Sequence, residues 1–149
     1  MRCLTGWVLA GWLVVASARA GDGEIVKVLP HFLDQQGRQS LSPSLFERDA
    51  YQAQLRKRPA EVSSMQFDIE WSAAKKTTDL RLRVEVLGKH AGAKPETIEA
   101  PVKPAAFGGQ WSVLKLDPKV YQQLGGVNAW RVTLWAGEQQ LAEQKSFLW

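Results

Sequence analysis

Two segments of this 149-residue chain alternate strictly between apolar and polar residues, and they restrict the fold more than any other feature. Met65, Phe67, Ile69 and Trp71 alternate with Gln66, Asp68 and Glu70, and Leu80, Leu82, Val84 and Val86 alternate with Arg81, Arg83 and Glu85. A period of two sends successive side chains to opposite faces, so each segment reads as a half-buried β-strand and not as a helix. With Lys75 and Lys76 at a hairpin tip, antiparallel pairing sets Trp71 opposite Leu80, Ile69 opposite Leu82 and Phe67 opposite Val84. The same register sets Glu70 against Arg81 and Asp68 against Arg83, opposite charges that stabilise a strand pair by about 0.2–1 kcal/mol each.

The remaining elements are short and separated by turn residues. Glu24 to Asp34 reads as an edge or interrupted strand because Pro30 lies in its middle. A helix near residues 43–57 starts at Ser42-Pro43, or at Ser44 with Glu47 as a capping box, and Pro59 stops it. Phe46, Ala50 and Ala53 are its expected apolar face, which makes it a surface helix. Glu96 to Val102 and the Trp111, Val113, Leu116 segment read as further strands. Asp117-Pro118 opens one helical turn carrying Val120, Tyr121 and Leu124, and Gly125-Gly126 closes it. Trp130, Val132, Leu134 and Ala136 alternate with Arg131, Thr133 and Trp135, Gly137-Glu138 supplies a tight turn, and a last strand runs from about Leu141 to Trp149.

Six or seven short strands of this kind predict a mainly β domain, an antiparallel two-sheet sandwich with one surface helix. The inward Trp71, the charged hairpin and the closing hairpin from Trp130 to Trp149 resemble an immunoglobulin-like or fibronectin type III-like sandwich. The resemblance covers most of the chain as architecture. It implies the fold and no functional residue.

The first twenty residues have the three parts of an export signal: basic Arg2, an apolar run from Leu4 to Val15, and the small-residue tripeptide Ala18-Arg19-Ala20. The apolar run is shorter than the roughly 20 residues of a bilayer-spanning helix, so cleavage before Gly21 is expected and residues 21–149 form one exported domain with no membrane span. Cleavage removes Cys3, the only cysteine, with Trp7 and Trp12. Zinc–thiolate sites, redox pairs and cysteine nucleophiles are thereby excluded from the mature chain. A disulfide-free exported domain of this size points to a bacterial periplasm or extracellular space. Seventeen basic residues against fifteen acidic ones remain after cleavage, a near balance that gives no preference for nucleic acid.

Neither histidine, His31 or His90, lies in a catalytic motif, and no nucleophile elbow, phosphate-binding loop or zinc-protease signature occurs. Asp68 and Glu70 are expected to face arginines and not a substrate. The chain is therefore expected to be no enzyme and to carry no catalytic, cofactor-binding or metal-binding residue. Trp71, Trp111 and Trp130 fall on apolar phases and are expected in the core. Trp135 falls on the outward phase, either exposed or covered by the helix or a long loop, and Trp149 closes the chain. Trp135, Trp149 and Tyr121 are thus the candidate ligand or partner contacts. Two functions follow: binding of a protein or cell-envelope component through a sheet edge, made by the Pro30 strand or the final strand, or carbohydrate binding on Trp135 with Tyr121 or Trp149 as a second ring.

Overall fold

A computed structural model describes residues 22–90, 92 and 94–149; the expected export signal of residues 1–20, with Cys3, Trp7 and Trp12, lies outside the described residues. The elements follow in the order β1 (Gly23–Asp34), α1 (Leu45–Lys57), β2 (Val62–Ala73), β3 (Leu80–Gly88), β4 (Glu96–Val102), β5 (Gln110–Lys115), α2 (Pro118–Gln123), β6 (Val127–Ala136) and β7 (Gln139–Lys145), with a 3-10 turn at Pro59–Glu61 before β2. The strands form two antiparallel sheets, a three-stranded one ordered β1-β2-β5 and a four-stranded one ordered β4-β3-β6-β7.

The two alternating segments are strands, but they do not pair with each other. β2 lies between β1 and β5, and β3 lies between β4 and β6. Alternation decides which face of a strand is buried and is silent about which neighbour it takes. Both segments are the inner strands of different sheets, and their apolar faces meet across the core. The charge pairs change accordingly. Arg81 and Arg83 both reach Glu99 on β4, Arg131 on β6 binds Glu85 at 2.7 Å, and Asp68 lies 3.5 Å from His31 on β1.

One apolar cluster joins the two sheets. Phe67, Ile69 and Trp71 enter it from β2, Leu82, Val84 and Val86 from β3, and Val132 and Leu134 from β6, all without solvent contact. Burying a side chain of this size contributes about 1.5–3 kcal/mol. The Trp71 indole N–H, the one polar atom of that ring, donates to Ser112 Oγ at 2.9 Å. Trp130 is only partly buried and meets Phe67 edge to face, with ring centroids 6.2 Å apart.

Trp111 corrects the expected core. Leu114 and Leu116 are the buried residues of this segment, and Trp111 and Val113 are 51% and 53% exposed. The run Trp-Ser-Val-Leu-Lys-Leu has apolar residues on both phases, and a strand can bury only one of them. α1 is also turned away from its expected face. Ser44 Oγ accepts from the Glu47 N–H, so the helix starts at Leu45, and Gln52 and Leu55 are its buried residues. Phe46 is 84% exposed, and Ala50 and Ala53 face solvent. The helix is held by hydrogen bonds from Gln52 and Tyr51 more than by an apolar stripe. The closing turn falls at Gly137-Glu138 as expected, with Gly137 at φ 56°, but β7 stops at Lys145. Ser146 then binds back to the Trp130 backbone through both its N–H and its hydroxyl. No helix among the described residues is long and apolar enough to cross a membrane.

Candidate functional site

The expected aromatic contacts divide between two places. Trp135 stands on the outer face of the four-stranded sheet, where its indole N–H donates to Thr133 Oγ1 at 2.8 Å. The guanidinium groups of Arg81 and Arg83 lie 5.8 and 5.0 Å from its ring centroid, so arginines of the neighbouring strand cover it, where a helix or long loop had been the expected cover. Trp149 lies on the same face, with the Arg131 guanidinium 4.9 Å from its ring. Arg131 is four residues before Trp135 on β6, which separates their Cα atoms by about 13 Å. Tyr121 is on α2, beside Gly126 and ahead of β6, packed against the core cluster; burial raises its pKa. Tyr121 therefore does not share the outer face that carries Trp135 and Trp149. The arginines between them are answered by Glu85, Glu99 and Glu143, which leaves a charge-compensated wall.

A small polar cleft lies between α1 and the outer face of the three-stranded sheet. Leu29, Pro30, His31, Arg48, Gln52 and Arg56 are among the residues around its roughly 390 Å³. The His31 side chain is almost fully buried, and its Nε2 lacks a hydrogen bond although Asp68 Oδ2 is 3.5 Å away. Burial lowers the His31 pKa; Asp68 and Asp49 pull it the other way, and Arg48 adds to the lowering. A neutral imidazole beside a carboxylate is half of a nucleophile-activating arrangement, but no hydroxyl hydrogen-bonds His31 among the described residues. His90 binds the Gln123 carbonyl at 3.0 Å elsewhere in the fold. Among the described residues, no three His, Cys, Asp or Glu side chains come together in a way that could hold a metal ion.

The sheet edges are more distinctive. On β1, the backbone N–H of Phe32 donates to Gln52 Oε1 at 2.7 Å, and Gln52 Nε2 donates to the Phe32 carbonyl at 2.9 Å. The side-chain amide thus occupies the place of a neighbouring strand. Phe32 points its backbone away from β2, and so does Pro30 two residues earlier, which has no N–H to offer. A register shift at Val26 bends the start of the same edge. On the other sheet, β4 carries Pro101 and β7 has a register shift at Leu141.

β5 has none of these features, and its register with β2 is unbroken. The Leu116 N–H donates to the Met65 carbonyl and the Leu116 carbonyl accepts from Ser64 Oγ, so the even-numbered residues of this stretch face β2. By alternation Trp111, Val113 and Lys115 turn three N–H and three C=O groups outward. None of the six has a hydrogen-bond partner among the described residues. Their side chains share the outer face with Glu70 and Asp68. The residues that matter at the edges are thus Gln52, Trp111 and Val113. The two edges expected to accept a partner are therefore the less open ones: Gln52 covers the Pro30 strand at Phe32, and a register shift interrupts the final strand at Leu141.

No protein-family model matches the chain, and neither a curated protein nor a solved structure matches it.

Proposed function

We propose that residues 21–149 form an exported, non-catalytic, immunoglobulin-like or fibronectin type III-like domain that binds a protein or a peptide segment of an envelope component by adding its strand to the β5 edge. The export pattern of residues 1–20 supports the compartment. The strand order supports the architecture, since first, second and fifth strands share one sheet and third, sixth and seventh the other; the fourth strand sits beside the third and not beside the fifth as in constant-type domains. One observation carries the mode of binding: among the described residues, the backbone groups of Trp111, Val113 and Lys115 form an unpaired row on the one edge without a proline, a bulge or a side-chain cover. Main-chain hydrogen bonds supply affinity in such strand addition, and alternate side chains supply selectivity. Titrating labelled protein with extended peptides and following backbone amide resonances tests it. Shifts centred on Trp111, Val113 and Lys115 are expected; shifts confined to the His31 cleft or the Trp135 face would contradict it.

A second reading, carbohydrate binding, is favoured by the exposed Trp111 ring with Glu70 opposite it across the strand pair, and no longer by Trp135, which is stacked under two arginines. It predicts a tryptophan fluorescence shift with a polysaccharide that Trp111→Ala removes and Trp135→Ala retains. An unchanged signal across a glycan panel eliminates it.

A further inference from the structure

Resting on the strand-addition reading, we propose that the β5 edge pairs with the β5 edge of a second copy of this chain, antiparallel and centred on Val113. The outward backbone groups belong to residues 111, 113 and 115, which are spaced symmetrically about Val113. A two-fold axis beside Val113 sets Val113 against Val113 of the second copy, and Trp111 against Lys115 in both directions. All six outward groups of each strand then find partners, six hydrogen bonds in total, each pair of residues exchanging both of its bonds. Centring the axis on Ser112 or Leu114 leaves the outward groups of Lys115 or Trp111 unpaired. A shift to an odd sum would bring inward-facing residues to the edge and is excluded by the pleat.

The side chains agree with the same register. On the outer face, directly opposed residues stand about 4.5–5.5 Å apart at Cβ, which places each Lys115 ammonium over the Trp111 ring of the other copy, with the two exposed valines in contact between them. Trp111 and Val113 lose the exposure that is otherwise unexplained on a short edge strand. The partner also has to bring a free edge of its own. Among the described residues only β5 qualifies, because Gln52 and Pro30 close β1, Pro101 interrupts β4 and the shift at Leu141 interrupts β7. The interface is isologous and joins two three-stranded sheets into one six-stranded sheet. Three residue pairs make a small contact, so dimerisation belongs in the weak, concentration-dependent range.

Sedimentation velocity of the exported protein from about 1 µM to 1 mM, a span of roughly 4 kcal/mol in association free energy, is the test. The expected result is a monomer at the low end that becomes a dimer as concentration rises. Val113→Pro removes an N–H that faces away from β2 and so spares the intramolecular ladder; it should keep the wild-type melting temperature and near-ultraviolet circular dichroism while reducing association at least tenfold. Lys115→Glu, which replaces the cation over Trp111 with an anion, should weaken it several-fold by a side-chain effect alone. A chain that stays monomeric throughout, or a dimer that Val113→Pro leaves intact, overturns the self-pairing. A synthetic peptide of residues 109–116 separates this from the parent reading. If the chain is monomeric yet the peptide shifts the Val113 amide, only self-pairing falls; if neither occurs, both fall.

Discussion

β1 and β5 flank the same central strand, β2, yet treat their free edges in opposite ways. Twelve residues of β1 are closed by a proline, a register shift and a glutamine amide placed where a strand would hydrogen-bond; six residues of β5 carry no such device and expose a tryptophan and a valine. An exposed edge is a template for pairing, and proteins that must not pair there cover it. Protection on one side of a sheet and its omission on the other is the difference on which the proposed association through β5 rests. The same sandwich built for solitude would guard both.

The largest effect is expected where the guard of β1 is anchored. Asp34 accepts from the Gln36 N–H, the Arg38 N–H and guanidinium, and the Tyr51 hydroxyl, tying the end of β1 to the loop and to α1. Burial alone raises its pKa, but these hydrogen bonds outweigh burial and hold the carboxyl below the usual carboxylate range. A lowered folded-state pKa stabilises above the unfolded value of about 3.8 and loses that contribution as pH falls through the folded value. Asp34→Ala should therefore cost about 3 kcal/mol in chemical denaturation at pH 7, with the difference from wild type shrinking in acid.

Removing the cover itself is the next step down. Gln52→Ala leaves the Phe32 N–H and C=O and the Gln39 carbonyl without their partner, at a cost of about 1–3 kcal/mol. It should also turn β1 into a second open edge, visible as a new, Val113-independent association by sedimentation. A Gln52→Ala protein that loses stability without gaining association would show that Pro30 and the Val26 shift suffice to guard the edge.

Trp135→Ala perturbs the four-stranded sheet and leaves both edges beside β2 in place. The loss of its stacking with Arg81 and Arg83 should cost about 1 kcal/mol in thermal unfolding, leaving association through β5 unchanged.

The smallest effect concerns the cleft beside β1. Burial holds the His31 pKa below 6.5, against the pull of Asp68 and Asp49, so the unfolded chain binds more protons there. Its contribution to stability is present at neutral pH and falls as pH drops through 6.5 toward the folded value. Melting temperatures between pH 5 and 7 should rise with pH, and His31→Gln should flatten that slope.

Much of this architecture was legible in the sequence because period-two alternation is a local property. The strands containing Phe67, Val84 and Val132 and the turn at Gly137 announce themselves within a few residues, whereas Ser42 and Ser44 both read as helix starts and only Ser44 is the cap. The neighbours of each strand do not announce themselves, since β2 and β3 have similar alternating patterns and either could have paired with the other. The phase of β5 was hidden because Trp111 and Val113 compete with Leu114 and Leu116, and only the β2 register decides between them. Gln52 was hidden for another reason. A glutamine on a helix looks solvent-facing until a strand twenty residues earlier in the chain offers it an unpaired N–H and C=O. The cover on Trp135 likewise comes from β3, through arginines that alternation marks as outward without saying what they lie on.

The most direct measurement is backbone amide hydrogen exchange on dilute and concentrated protein, read at Phe32 and at Trp111, Val113 and Lys115. A closed β1 edge keeps the Phe32 amide protected at every concentration, and an open β5 edge gives three amides that exchange fast when dilute and slow down together as concentration rises. β5 amides already protected in the dilute monomer, or a Phe32 amide as fast as Val113, would contradict the division between a closed edge and an open one.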